Sequence, residues 1–233
     1  MKPADFFANL IKVRQRIHTA CQRAGRMPEE ITLVAVSKKM EAARVAAAIA
    51  AGQRVFGESY LQEAEAKIPG LPPACWHCIG HLQSNKAKKA ARLFDLIQTV
   101  DSEKLAARLA AARNEMGADD LDILLQVNIG EEPQKFGVPP LETPALARAV
   151  AAIKGVRLCG LMAIPPWNPD PEASRPFFRR LADLAADLAA KGVLPADEYE
   201  LSMGMSHDFE VAIEEGATMI RVGTALFGPR PAG

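Results

Sequence analysis

Residues 31–52 read ITLVAVSKKMEAARVAAAIAAG, a short apolar run followed by an alanine-rich segment. The run at 31–36 is rich in β-branched residues, which predicts a strand, whereas the spacing of apolar residues at 41–51 predicts a helix. A polar pair, Ser37 and Lys38, falls where the strand ends. The stretch therefore predicts one strand–helix unit with polar side chains at the carboxyl end of its strand.

The same unit recurs along the sequence, and an additional helix at 5–24 precedes the first strand. Apolar runs that predict strands lie at 31–36, 54–56, 75–79, 93–100, 121–129, 156–163, 199–203 and 219–222. Segments that predict helices lie between or after them at 41–51, 59–67, 84–92, 102–116, 143–153, 173–190 and 206–215.

Alternation of strands and helices predicts a parallel sheet, because each right-handed crossover returns the chain to the same edge of its neighbour. Eight such units close a β/α barrel, whose usual length is roughly 250 residues. We therefore predict an α/β fold, a single parallel (β/α)8 TIM-type barrel with an additional N-terminal helix, that occupies residues 1–233 as one domain. A doubly wound open sheet is the alternative that the pattern leaves open.

Charge and hydropathy limit the partners of the chain. Lys+Arg and Asp+Glu are balanced at 28 each, so there is no basic excess for nucleic acid. No apolar run reaches the roughly 20 residues that a bilayer span needs, and the N-terminus does not look like a secretory signal. We expect a cytoplasmic protein without nucleic-acid or membrane partners, in which the four cysteines are thiols.

Cys75 and Cys78 have the spacing of a redox or zinc motif, with His77 between them. They fall on a predicted strand, where residues three apart point to opposite faces. The pattern therefore argues against a dithiol, and we predict no metal site.

Polar residues follow the predicted strands, and in a β/α barrel the carboxyl ends of the strands carry the chemistry. The last two strands run into Gly204, Ser206, Gly223 and Thr224, which supply backbone amides and hydroxyl groups. We expect Gly204 to allow close backbone approach and Ser206 to cap the following helix. The loops after strands seven and eight of such barrels often bind phosphate, so we predict an anion site there.

A lysine amine attacks an aldehyde only in its unprotonated form, which partial desolvation at a barrel mouth favours. Lys38 and Lys39 both follow the first strand, and Lys86 and Lys135 lie on other mouth loops. Strand alternation alone does not choose between Lys38 and Lys39. On the residues alone, each of these four lysines stays a candidate nucleophile.

Seven segments, in order along the chain, form a pattern that covers nearly its whole length. They are AVSK (35–38), FGESY (56–60), WHCIGHLQSNK (76–86), QVNI (126–129), GLMAI (160–164), LSMGMS (201–206) and RVGTALFG (221–228). This pattern resembles the pyridoxal phosphate homeostasis protein family. The resemblance implies a barrel like the N-terminal domain of bacterial alanine racemase. It also implies that pyridoxal 5'-phosphate is the cofactor, held as a Schiff base on Lys38.

The resemblance also assigns the other residues of the site. It implies that Arg221 faces the pyridine nitrogen. It further implies contacts with the phosphate from Ser206, Gly223 and Thr224 and a pocket lining from Asn128 and Met162. The chain departs from the family pattern at two positions, with Ser59 where the family usually has Asn and with His207 ahead of Asp208.

An arginine at the pyridine nitrogen keeps that nitrogen unprotonated, which makes the ring a weaker electron sink and disfavours carbanion chemistry. Alanine racemase also takes a tyrosine base from a second domain, and we expect no such domain here. We therefore predict a monomeric protein without catalytic residues that stores pyridoxal phosphate or delivers it to apoenzymes. Two alternatives are a racemase that uses Lys38 with Tyr60 or His81, and an aldolase acting on a sugar phosphate.

Overall fold

The computed structural model describes residues 3–196 and 198–228, and the strands within these ranges form a closed barrel. All neighbouring strands pair in parallel, and the last strand pairs with the first. The predicted (β/α)8 barrel is confirmed. The strands are β1 Thr32–Val36, β2 Val55–Glu58, β3 Cys75–Cys78, β4 Leu96–Val100, β5 Leu121–Val127, β6 Val156–Ala163, β7 Glu200–Met205 and β8 Met219–Val222.

Helices follow the strands and surround the barrel, and the predicted N-terminal helix precedes them. They are α1 Pro3–Ala24, α2 Ala42–Ala50, α3 Leu61–Lys67, α4 Ala87–Leu93, α5 Glu103–Met116, α6 Thr143–Ala151, α7 Arg175–Ala190, α8 Phe209–Glu214 and the short α9 Thr224–Phe227.

Two predicted boundaries are wrong by several residues. The strand expected at 93–100 begins only at Leu96, because α4 continues through Leu93 and the amide of Phe94 still donates to the carbonyl of Ala90. The helix expected from residue 206 begins at Phe209, because β7 continues to Met205. The first error comes from apolar residues, Leu93 and Phe94, that suit either neighbouring element. The second arises because the polar residues 206–208 form a turn between the strand and the helix.

Apolar side chains pack on both sides of the barrel wall. An apolar cluster inside the barrel contains Val34, Leu96, Leu124, Met162 and Met219. A larger cluster lies between the strands and the helices. Polar residues are also buried inside the barrel, among them His77, Gln98, Ser202 and Arg221. The apolar cluster inside the barrel and these polar groups separate the two ends of the barrel.

Helix α1 buries one face against the last two helices of the barrel. Phe6 packs on Phe227 with ring centroids 5.1 Å apart, and the Asn9 amide donates to the carbonyl of Leu226 at 3.0 Å. Arg16 forms a bidentate ion pair with Glu210 on α8 at 2.6 and 2.8 Å. Within the described ranges, no helix combines the length and the hydropathy needed to cross a bilayer.

Candidate binding site at the mouth of the barrel

A cavity of about 510 Å³ opens at the carboxyl ends of the strands. Five of the seven residues that the sequence nominated for the site line this one cavity: Lys38, Ser206, Arg221, Gly223 and Thr224. The remaining described residues of its lining are Val36, Ser59, Ile79, Ile164, Trp167, Met205 and His207. The structure thus brings together groups from the carboxyl ends of β1, β2, β3, β6, β7 and β8 and from the loops that follow them.

The structure distinguishes the two lysines that strand alternation could not. Lys38 is half-buried and lines the mouth cavity, whereas Lys39 is exposed and does not. Strand β1 has already ended at Val36, and Lys39 has a left-handed backbone with φ of 60°. The amide of Lys39 donates to Glu63 Oε1 at 2.7 Å, which fixes the turn that follows Lys38.

A buried polar network holds the residue that precedes Lys38. Ser37 Oγ donates to Glu58 Oε1 at 2.7 Å, and Lys67 Nζ donates to the same oxygen at 2.8 Å. Lys67 Nζ also donates to the carbonyl of Ser37 at 3.0 Å and to Glu63 Oε1 at 2.6 Å. Burial raises the pKa of the Glu58 carboxyl, and the bonds from Lys67 and Ser37 oppose that rise. The network fixes the backbone on both sides of Lys38.

Ser206 joins the loop after β7 to the turn after β8. Its Oγ accepts hydrogen bonds from the amides of Gly223 at 3.2 Å and Ala225 at 3.4 Å. The expected role of Ser206 as a cap of the next helix is therefore wrong, because α8 begins later and the hydroxyl bonds to a different turn. Thr224 is exposed, and its hydroxyl makes no hydrogen bond among the described residues.

Gly204 serves helix packing rather than ligand approach. Its φ is 88°, and a Cβ at this position would lie 2.6 Å from the Cβ of Ala212 on α8. Only glycine tolerates both the backbone conformation and the contact. Gly204 does not line the mouth cavity, so the expectation that it gives a ligand access to the backbone is wrong.

Arg221 lies at the floor of the cavity and is almost completely buried. Its Nη1 donates to Ser202 Oγ at 2.6 Å, and its Nη2 donates to the carbonyl of Ala163 at 2.8 Å. Burial lowers the pKa of the guanidinium to about 10, and the nearby carboxylate of Asp208 opposes this shift. These two bonds leave three of the five guanidinium N–H groups for other partners.

Asn128 and Met162, the other two nominated residues, do not line the cavity. Asn128 organises its own loop, because its Nδ2 donates to the carbonyl of Glu132 at 2.9 Å and its Oδ1 accepts from the Glu132 amide at 3.2 Å. Met162 is fully buried in the apolar cluster inside the barrel. Both residues lie behind the mouth, where they support neighbouring parts of the structure.

The residues proposed as racemase bases and the other two candidate lysines on loops lie outside the mouth cavity. Tyr60, His81 and Lys86 line a separate cavity of about 310 Å³ beside the mouth. His81 stacks on Phe136 with ring centroids 3.7 Å apart. Lys135 Nζ pairs with Glu132 and donates to the carbonyl of Pro165 at 3.1 Å. These groups do not line the cavity that contains Lys38.

The two ends of the barrel differ in charge. Among the described residues that line the mouth cavity, Lys38 and Arg221 are cationic, and none carries a carboxylate. A cavity of about 470 Å³ at the opposite end is lined by one arginine, Arg157, and by four carboxylates, those of Asp95, Asp122, Glu198 and Glu200. An anionic ligand is therefore favoured at the mouth and disfavoured at the amino ends of the strands.

Trp167 and His207 were not predicted from the sequence as residues of the site. Both line the mouth cavity, and their rings stack with centroids 6.4 Å apart. Trp167 lies in the loop after β6 and His207 in the loop after β7. Their positions after strands were the available signal, but the sequence does not reveal which way a loop side chain points.

Comparisons with known proteins show the family of this chain. A family model described as alanine racemase, N-terminal domain, matches residues 9–231. A pyridoxal phosphate homeostasis protein from Pseudomonas aeruginosa is 48% identical over 227 residues, which cover 97% of this chain and 96% of the relative. One from Escherichia coli K12 is 45% identical over 233 residues, covering 97% of each. The chain belongs to the pyridoxal phosphate homeostasis protein family.

Solved structures are consistent with membership of the homeostasis family. PipY of Synechococcus elongatus with PLP bound is 38% identical, with a TM-score of 0.82 over 96% of this chain and 100% of PipY. A protein of unknown function from Bifidobacterium adolescentis reaches a TM-score of 0.90 at 34% identity, over 97% and 95%. Alanine racemase from Bartonella henselae, 14% identical with a TM-score of 0.72, shares the fold over 60% of its own length.

Proposed function

We propose that this chain binds pyridoxal 5'-phosphate in the mouth cavity, attached to Lys38, and serves pyridoxal phosphate homeostasis rather than fast turnover. The observation that carries the proposal is the lining of this cavity. It combines an amine, a hydroxyl-bearing turn and a buried guanidinium with no described carboxylate. This combination suits a dianionic phosphate that carries an aldehyde.

The residues fit the cofactor in size and in chemistry. The cavity of about 510 Å³ lies within the range of roughly 300–1,000 Å³ that small-molecule sites occupy. When bound, pyridoxal phosphate supplies an aldehyde for a lysine amine and an electron-withdrawing ring. Ser206, Gly223 and Thr224 would hold the phosphate, and Arg221 would direct an N–H toward the pyridine nitrogen.

Asn128 and Met162 take supporting parts in the same proposal. Asn128 holds the loop after β5 through its bonds to Glu132. Met162 packs in the apolar cluster beneath the mouth. We place both residues behind the cofactor and the whole site within one domain that spans residues 1–233.

The racemase alternative lacks support from the positions of its bases. Racemisation needs an acid or base on each face of the substrate carbon. Tyr60 and His81 line a separate cavity, and Tyr60 is exposed. The likeness to alanine racemase is a likeness of fold. We therefore propose a protein that stores pyridoxal phosphate or delivers it to apoenzymes, as a monomer in the cytoplasm.

Borohydride reduction followed by peptide mass mapping tests the proposal. Purified protein incubated with pyridoxal phosphate should carry one pyridoxyl group on Lys38. The Lys38→Arg variant should lose this label and Lys39→Arg should keep it. Labelling of Lys39, Lys86 or Lys135 in place of Lys38 would overturn the assignment. Enantiopure alanine incubated with the loaded protein should keep its configuration, and appreciable racemisation would favour the enzyme alternative.

A further inference from the structure

A chain of hydrogen bonds crosses the inside of the barrel from Arg221 to Cys75. Arg221 Nη1 donates to Ser202 Oγ at 2.6 Å, and Ser202 Oγ donates to Gln98 Oε1 at 2.6 Å. Gln98 Nε2 lies 2.9 Å from His77 Nδ1, and His77 Nε2 lies 3.4 Å from Cys75 Sγ. The first four residues are almost entirely buried, and Cys75 lines the cavity at the amino ends of the strands.

Arg221 determines the direction of every bond in this chain. A guanidinium only donates hydrogen bonds, so Ser202 must accept from it and pass its own proton to Gln98 Oε1. The other end of the Gln98 side chain is then the NH2 group, which must donate to His77 Nδ1. The proton of the imidazole therefore resides on Nε2, on the side of Cys75. A reversed amide would leave the Ser202 proton without an acceptor.

The surroundings of His77 agree with a neutral ring. Burial lowers the pKa of the imidazole to about 4, against the opposing effect of Asp95 and Asp122. Burial also raises the pKa of the Cys75 thiol to about 11, so the thiol is protonated at neutral pH. The chain therefore has no charged member besides Arg221, and all its donors point away from the mouth. Hydrogen bonds arranged in one direction polarise one another.

We propose that Ser202 and Gln98 are positioning residues, which hold the Arg221 guanidinium in the orientation that serves the mouth cavity and which are anchored in turn by neutral His77. The proposal rests on the proposed function only in its expected effect on cofactor affinity. Its structural content, one directed chain that ends on the Nε2–H form of His77, concerns the protein without ligand.

Nitrogen-15 spectra of the ligand-free protein test the direction of the chain. His77 should show a protonated Nε2 and a hydrogen-bonded, unprotonated Nδ1. In the Gln98→Glu variant an acceptor replaces the amide donor, so a proton should appear on Nδ1. A residue that only filled space would cause no such change. A proton on Nδ1 of His77 in the wild-type protein would overturn the proposal.

The side-chain signals of Arg221 test the positioning itself. In Ser202→Ala these signals should broaden because the guanidinium loses its hydrogen-bond partner. In Gln98→Leu they should broaden because the Ser202 hydroxyl loses the acceptor that holds it in place. Gln53→Leu is the matched control, since Gln53 is also buried but bonds to the carbonyls of Leu33 and Val55. Sharp Arg221 signals in both chain variants, with folding checked by circular dichroism, would overturn the proposal.

Cofactor affinity tests the expected effect on binding. Each single variant should weaken pyridoxal phosphate binding by about three- to tenfold, the range expected for the loss of about one hydrogen bond. The double variant should bind pyridoxal phosphate no more weakly than the single variant with the lower affinity, because residues linked in one series of hydrogen bonds act as a unit. Unchanged affinity in both single variants would overturn the positioning role. If the wild-type protein retains no pyridoxal phosphate, the proposed function fails. The nitrogen-15 spectra then still test the direction of the hydrogen bonds from Arg221 to His77.

Discussion

Lys67 Nζ lies 2.8 Å from Glu58 Oε1, and the two side chains are only 7% and 0% exposed. The pair lies beneath the turn that carries Lys38, because both groups also bond to Ser37. A buried ion pair of this kind seldom adds much stability by itself, but it becomes costly when one partner is removed. Its main consequence is a fixed path for the backbone at Lys38.

Lys67→Met should therefore destabilise the protein by about 3–5 kcal/mol, since it leaves the Glu58 carboxylate buried without its cation. The double variant Glu58→Gln/Lys67→Met should recover most of this loss, because Gln can still accept from Ser37. Lys88→Met provides the control, since Lys88 forms an exposed pair with Glu115 and should cost less than about 1 kcal/mol. Urea unfolding monitored by circular dichroism measures all three, and equal losses in Lys67→Met and Lys88→Met would contradict the expectation.

His77 should make stability depend on pH in a defined window. Burial lowers the pKa of His77 in the folded protein from 6.5 to about 4, so the unfolded chain binds a proton first as the pH falls. The contribution of His77 to the free energy of unfolding is therefore fully present above about pH 6.5. It is lost as the pH falls toward 4, by about 3 kcal/mol in total.

Unfolding free energies of wild type and His77→Gln, compared between pH 4 and 7, measure this contribution. The difference between the two proteins should shrink as the pH falls. His18→Gln, which changes an exposed histidine on α1, should follow the wild-type curve. Parallel curves for wild type and His77→Gln would show that His77 does not titrate as expected.

Gly204→Ala should destabilise the barrel through two causes, a left-handed backbone and a contact with α8. The new Cβ would lie 2.6 Å from Ala212 Cβ and 2.9 Å from Phe209 Cα. Gly216→Ala isolates the first cause, because Gly216 has φ of 96° and its nearest neighbour would lie 3.9 Å away. We expect a loss of about 1 kcal/mol for Gly216→Ala and about 1–3 kcal/mol more for Gly204→Ala. Thermal unfolding compares them, and similar losses would exclude the contact with α8.

Trp167 should report ligand entry. It lines the mouth cavity and is 75% exposed, whereas Trp76, the other tryptophan of the chain, is buried. Titration with pyridoxal phosphate should quench the tryptophan fluorescence in wild type and in Trp76→Phe but not in Trp167→Phe. Quenching that survives in Trp167→Phe would place the ligand away from this mouth.

Much of this structure could be predicted from the sequence. Repetition of strand and helix signals identifies the barrel, since no single unit has to be recognised with certainty. The carboxyl ends of β7 and β8 likewise point to Ser206 and Thr224. Such inferences depend on order along the chain, which the sequence contains directly.

Other features depend on contacts between distant residues. Alternation could not choose Lys38 over Lys39, because the strand ends at Val36 and the turn at Lys39 breaks the pattern. Ser206 was expected to cap its own helix but bonds to Gly223, 17 residues later. The bond between Ser202 and Gln98 spans 104 residues, and nothing in either strand segment identifies the partner.

The unequal charge of the two barrel ends has a kinetic consequence. Cations line the mouth, whereas carboxylates predominate around the cavity at the opposite end. A dianion that diffuses toward the molecule is attracted to one end and repelled from the other, which favours productive encounters. We expect the association rate for pyridoxal phosphate, measured by stopped flow, to fall with ionic strength more steeply than the dissociation rate changes. The difference in charge between the two ends of the barrel would then increase the rate at which the ligand associates.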